Sequence, residues 1–135
     1  MARLQGLDQA LKELQTLRVR AQKAMRRGEL KVAKIMVDEA KAAAPFDMGN
    51  IEAGIHIEQT ESSTIVVGGD KLAAYQEFGT GPLVSIPTGV DAAEVKALFY
   101  VNGKGKTPPH PFFYPAVFRN EELIIPAVEE ELRKL

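Results

Sequence analysis

A chain of 135 residues with 17 Lys and Arg against 18 Asp and Glu has a formal net charge of −1, which excludes a protein whose whole surface neutralises nucleic acid. Its hydrophobic fraction of 45% and charged fraction of 26% are those of an ordinary folded domain, and the length suits one domain. Cysteine is absent, so disulfide frameworks, thiolate metal sites, iron–sulfur clusters and a cysteine nucleophile are excluded together. No apolar run approaches the ~18 residues of a membrane helix, and no continuous signal-peptide core stands at the start; the reading is a chain kept in the cytoplasm when made, with no membrane partner. A domain of this size hides only about two thirds of its unfolded surface, which leaves apolar area for an oligomer.

Charge is uneven along the chain: residues 1–41 hold ten basic against five acidic side chains, 42–114 four against eight, and 115–135 three against five. The basic end is also the helical end. Leu4, Leu7, Leu11 and Leu14 alternate three and four apart and so share one helix face; Leu17, Ala21 and Met25 continue the stripe. Gly28 weakens the pattern before Leu30, Ala33, Val37 and Ala40 resume it, and Pro45 stops it. One long helix or two in sequence fit, with residues 1–28 read as an arm and 29–135 as the body of a single domain. The four leucines form a stripe about two heptads long, a candidate assembly face.

From Ile51 to Gly69 the β-branched residues Ile51, Ile55, Ile57 and Thr64–Val67 predict an antiparallel hairpin turning near Glu61–Ser63. Leu72–Phe78 fits helix or strand equally. Residues 79–111 contain ten of the nineteen Gly and Pro, a mobile loop interrupted by a short helix from Asp91 and Glu94 to Leu98 and a brief strand Phe99–Val101. Beyond Pro115 the apolar spacing is helical again, with Asn120 a plausible internal cap and Pro126 a kink or restart. The expected fold class is α+β: a long N-terminal helical arm, a small antiparallel sheet from segments 51–67 and 99–101, and a C-terminal helix packed on that sheet.

Chemical motifs are weak. Gly105-Lys106-Thr107 lacks the upstream glycine of a phosphate loop and is followed by Pro108 and Pro109 where a helix must begin. His56, His110, Asp47 and Glu77 could be assembled into a metal-dependent hydrolase, yet no two stand at helical ligand spacing. The cations Arg18, Arg20, Lys23, Arg26, Arg27, Lys31 and Lys34 could serve a nucleic-acid-binding module or a transient DNA contact, but lie on all sides of their helix with no interleaved aromatics. Neither catalytic, metal nor cofactor residues are expected.

Two segments are more specific. In Ala74-Tyr75-Gln76-Glu77-Phe78-Gly79-Thr80, Tyr75 and Phe78 can anchor in a core, Glu77 offers a pair of acceptor oxygens, Gly79 permits a sharp turn and Thr80 can bond a freed backbone group. In Pro111-Phe112-Phe113-Tyr114-Pro115-Ala116 the prolines stiffen the approach to the last helix and the two phenylalanines supply apolar surface. In this order, preceded by AKAAAPFDMGNI and followed by an acidic helix, the segments resemble the minor tail or tail-completion proteins of long-tailed bacteriophages and prophages, the gp10-like group, over about residues 33–135. Met48 stands where that family's first motif has threonine, and Ile51 lies one position beyond its leucine. The resemblance implies a structural virion protein and no enzyme: a ring subunit at the neck, joining connector and tail-tube or tail-terminator proteins, made in the host cytoplasm and carried in the virion. It also implies an arm, lying before residue 33, outside the shared body.

Overall fold

The computed structural model describes residues 5–45, 51–69, 71–80, 85–86, 88–90 and 108–135. Leu4, Asp47, the expected helix from Asp91 to Leu98, the expected strand Phe99–Val101, the Gly105–Thr107 segment and most of the loop read as mobile lie outside them. The chain builds a helix α1 (Leu7–Ala43), a helical turn α2 (Ile51–Gly54), strands β1 (Ile55–Gln59) and β2 (Thr64–Gly68), and helix α3 (Lys71–Phe78); α4 (Tyr114–Asn120), a 3-10 turn (Glu121–Leu123) and α5 (Ile124–Arg133) close it. The α+β class and its order of long helix, hairpin and C-terminal helix stand as expected.

α1 runs through Gly28 without a break for 37 residues, about 55 Å at 1.5 Å per residue. Gly28 is therefore not a boundary. A Cβ on it would lie 2.6 Å from Val128 Cα and 2.9 Å from the Ala127 carbonyl oxygen, so the missing side chain lets α5 approach the backbone of α1. On α5 the positions Ile124, Ala127, Val128 and Glu131 recur three and four apart on the face turned toward α1, and Glu131 is buried there.

β1 and β2 pair antiparallel with Ile55 opposite Gly68, Ile57 opposite Val66 and Gln59 opposite Thr64. Thr60 closes the turn: its N–H donates to the Ser63 carbonyl at 2.8 Å and its Oγ1 accepts from Ser63 N–H at 3.0 Å. One sheet face enters the core, where Ile55, Ile57 and Val66 meet Val37 and Ala40 of α1, Ile51, Ala73, Phe112 and Ala116. Ile51 was expected to begin the hairpin; it sits instead in the α2 turn, because Ala53 and Gly54 are poor strand residues, and it is buried in the same core as Ile55. The ambiguous segment 72–78 is helical. The C-terminal segment meets the sheet through Phe113, whose ring lies against Gly68, and then follows α1.

Asn120 caps nothing with its side chain. Its amide donates to Glu39 Oε2 at 2.6 Å and to the Ala116 carbonyl at 2.7 Å, while Arg119 pairs with the same Glu39 oxygen at 2.8 Å; Arg119 first and Asn120 second hold the Glu39 carboxyl below its ordinary range. A polar residue before a second helical run looks like a cap in sequence, but the 3-10 turn carries the chain onward with backbone bonds alone.

The Gly28 contact reverses a usual substitution effect. Alanine normally stabilises a helix interior by up to about 1 kcal/mol over glycine; at this position the overpacking against α5 outweighs it, and Gly28→Ala is expected to destabilise the fold by about 1–3 kcal/mol, read as a lower urea midpoint. A raised midpoint would show that α5 does not close on α1 there.

Candidate functional site

The two sequence-specific segments meet at one carboxylate. Glu77, in the last turn of α3, is buried. Its Oε2 accepts from the N–H groups of Phe112 at 2.7 Å and Phe113 at 2.9 Å, and its Oε1 accepts from Tyr114 N–H at 3.0 Å. These are the donors that the opening of α4 leaves without helical partners, and the positive end of the helix favours an acceptor there. α4 has no side-chain cap of its own, and Pro115 in its first turn has no N–H to satisfy. The cap thus comes from a residue 35 positions earlier.

The neighbours of Glu77 lock the arrangement. His110 N–H donates to the Gln76 carbonyl at 2.6 Å, and Gly79 N–H returns to the Tyr75 carbonyl at 2.9 Å, ending α3 with Gly79 at φ +81°, a left-handed stop that favours glycine. Phe112 and Ala116 are each only 1% exposed and fill the core, whereas Phe78 centres a second cluster with Ala74, Tyr75, Ile86, Val90 and Tyr114. Tyr114 joins the clusters, its ring centroid 5.8 Å from that of Phe78, 5.2 Å from Phe113 and 5.5 Å from Phe118. Pro111 is exposed. Both segments are therefore architectural, and Glu77, with both oxygens engaged by backbone, is not positioned as a metal ligand or a catalytic acid.

Of the other groups of the hydrolase reading, His56 and His110 fall among the described residues. His56 lies on the outward face of β1, Nδ1 2.8 Å from the Gly54 carbonyl and Nε2 3.0 Å from Glu58 Oε1; the Glu58 hydrogen bond, followed by the Gly54 carbonyl, raises its pKa. His110 is exposed. Among the described residues no group of three His, Asp or Glu could hold a metal ion, and no helix is long and apolar enough to cross a membrane.

The basic cluster divides in two. Lys31, Arg27 and Lys134 converge on Glu131 at 2.5, 3.1 and 3.2 Å, and Arg26 pairs with Glu29. Among the described residues Arg18, Arg20, Lys23 and Lys34 have no such carboxylate. Sequence alone missed Glu131 as the receiver of these cations; its place on the inward face of an acidic helix, three residues before Lys134, was the available signal.

The leucine stripe is outside the core. Every described residue from Gln5 to Arg20 is exposed, with Leu7, Leu11, Leu14 and Leu17 between 48% and 62%; the first fully buried position of α1 is Ala24. Some 17 residues of helix, about 25 Å, thus project from the domain carrying an apolar stripe that water covers.

Two outcomes follow. Replacing Glu77 by alanine strands three N–H groups at about 1–3 kcal/mol for each buried one, so a loss of at least about 3 kcal/mol in urea unfolding is expected; Glu77→Gln, which turns one acceptor into a donor facing an N–H, is expected to lose about 1–3 kcal/mol. For Glu131, Lys31 foremost and then Arg27 and Lys134 lower the carboxyl pKa to about 2. A depressed carboxylate stabilises the fold above its unfolded pKa and loses that contribution as pH falls through the folded value. Stability should therefore drop between pH 4.5 and pH 2, and Glu131→Gln should flatten that part of the profile of melting temperature against pH.

Comparison with curated proteins and with solved structures returns no match. A family model described as "Bacteriophage HK97-gp10, putative tail-component" matches residues 7–79. The match starts at the first residue of α1 and ends at the Gly79 stop, so it takes in the projecting arm that the motifs alone had set outside the shared body, and stops short of the Pro111–Ala116 segment. Covering more than half of the chain, from the exposed leucines to the carboxylate that caps α4, it makes this protein a member of the HK97-gp10-like family of bacteriophage tail components.

Proposed function

We propose that the chain is a structural subunit of a ring at the head-proximal end of a long phage tail, a tail-completion or head–tail joining component. In this reading it contacts copies of itself, the connector, and tail-tube or tail-terminator proteins; it is made in the host cytoplasm and remains in the virion, with no catalytic step or cofactor. The observation that carries the reading is the arm of α1. A helix that presents four half-exposed leucines beyond its own core has its apolar face set for another protein, and each leucine covered there contributes roughly 1.5–3 kcal/mol before the cost of association. Membership of a tail-component family supplies the kind of assembly. The engagement of Glu77 by backbone and of Arg26, Arg27 and Lys31 by carboxylates weighs against the hydrolase and nucleic-acid readings.

The test replaces Leu11 and Leu14 by serine. Because both are more than half exposed, the melting temperature of the isolated chain should change by no more than about 2–3 °C, the effect of a surface change within about 0.5 kcal/mol. The native mass of the chain with its neighbouring tail proteins should collapse toward the monomer, and the variant gene should fail to complement a phage lacking the wild-type copy, leaving heads and tails unjoined. Normal particles from the double variant would remove the arm from assembly.

A further inference from the structure

A groove lies between α1, the hairpin turn and the start of α5. Its floor is Val32, Ala33 and Met36 of α1 with Val66 and Ile124, its rim is polar, and it has a volume of about 300 Å³. That is room for about two leucine side chains, given that deleting one large apolar side chain opens a void near 150 Å³. Apolar surface continues beyond it, with Ile125 69% exposed and Leu123 39% exposed. Arg26, on the rim, is held by Glu29, and its Nε is buried with no hydrogen-bond partner, a donor that an acceptor from an occupant completes.

We infer that this groove receives the leucine arm of a second copy of the chain. The inference rests on the assembly role proposed above and names the contact that performs it. Three observations support this occupant. Arm and groove belong to one unbroken helix, with Leu17 nine residues, or about 14 Å, from Arg26 and Leu7 still further; the arm cannot turn back onto its own groove, so an arm that fills it comes from another molecule. The surfaces correspond, since Leu7, Leu11, Leu14 and Leu17 form an exposed apolar ridge on a helix and the groove beside α1 has an apolar floor with room for about two of them. The charges favour this occupant as well: residues 5–23 carry Lys12, Arg18, Arg20 and Lys23 against Asp8 and Glu13, whereas the charged lining of the groove, Arg26 with Glu29, is internally paired and the exposed turns next to its lining residues Ser62 and Ile124 carry Glu61, Glu121 and Glu122. A basic arm approaching a groove with acidic turns beside it is steered and oriented by that difference. The contact joins two different patches, so it propagates from copy to copy and closes when the rotation allows.

The absence of cysteine makes directed cross-linking clean. Leu11→Cys and Ser63→Cys chains, prepared separately and mixed under mild oxidation, are expected to form the mixed disulfide at least about tenfold faster than Leu11→Cys mixed with Arg133→Cys, whose side chain is 79% exposed and away from the groove; a tenfold bias is the occupancy difference of one decade in affinity. In parallel, Glu121→Lys with Glu122→Lys, both on an exposed turn, is expected to raise the self-association constant Kd measured by light scattering by at least about tenfold, and Arg18→Glu with Arg20→Glu is expected to restore it in the combined variant. Equal rates for the two mixtures, a predominance of Leu11→Cys homodimers showing arm paired with arm, or failure of the second charge reversal to restore association each overturns the contact. A wild-type chain that stays monomeric at every accessible concentration also overturns it, while the joining role is then judged separately by the phage complementation above.

Discussion

Glu77 ties together parts of the chain that would otherwise have no reason to meet. Its carboxylate stands at the end of one short helix and accepts from three successive N–H groups at the beginning of another. Without it, α4 would begin in the interior with its donors unmet, and Phe112 and Ala116, which complete the core, would have no fixed entry point. The arrangement explains why the two segments carry such different residues. One provides a single acceptor pair and a left-handed stop; the other provides bare backbone donors flanked by aromatic bulk and a proline that needs no partner.

α1 is the surface on which everything else is assembled. Its C-terminal half takes the sheet and α4 on one side, through Val37, Ala40 and Glu39, and α5 through Gly28 and the cations that surround Glu131. The arrangement of the C-terminal helices is thus held at three points of different character: a backbone cap, a close helix crossing permitted by glycine, and a buried carboxylate among three cations. A buried charge of this kind is tolerated because every one of its cations keeps some access to water while the carboxylate does not, which limits the desolvation cost to one partner.

The sequence made the long helix legible because leucines and alanines at three and four spacing leave little else possible, and it made the hairpin legible through the Thr64–Val67 run. It hid α3, since the buried residues described in that helix are Ala73, Gln76, Glu77 and Phe78, and two polar residues among them erase the hydrophobic period that announces a helix. It left one helix or two open at Gly28, where helix propensity reads a weak point and packing requires an absent side chain, and it gave a wrong impression at Asn120, where a residue suited to capping is used to hold Glu39. Of the candidate site, the exposed leucine stripe and the two motifs were readable as patterns. The placement of the stripe was not, because whether a stripe faces its own core depends on where α5 ends along α1, a distance set by tertiary packing and invisible to local spacing.

One unbroken helix serves both as a wall of the core and as the projecting arm, with no hinge between the two uses. The arm therefore behaves as a lever clamped at Gly28: a tilt of about 5° at the clamp moves a tip about 30 Å away by about 3 Å. The direction of the arm is set inside the subunit, by how closely the backbones of α1 and α5 approach. A residue buried at the root of the arm thereby acquires authority over geometry at its far end.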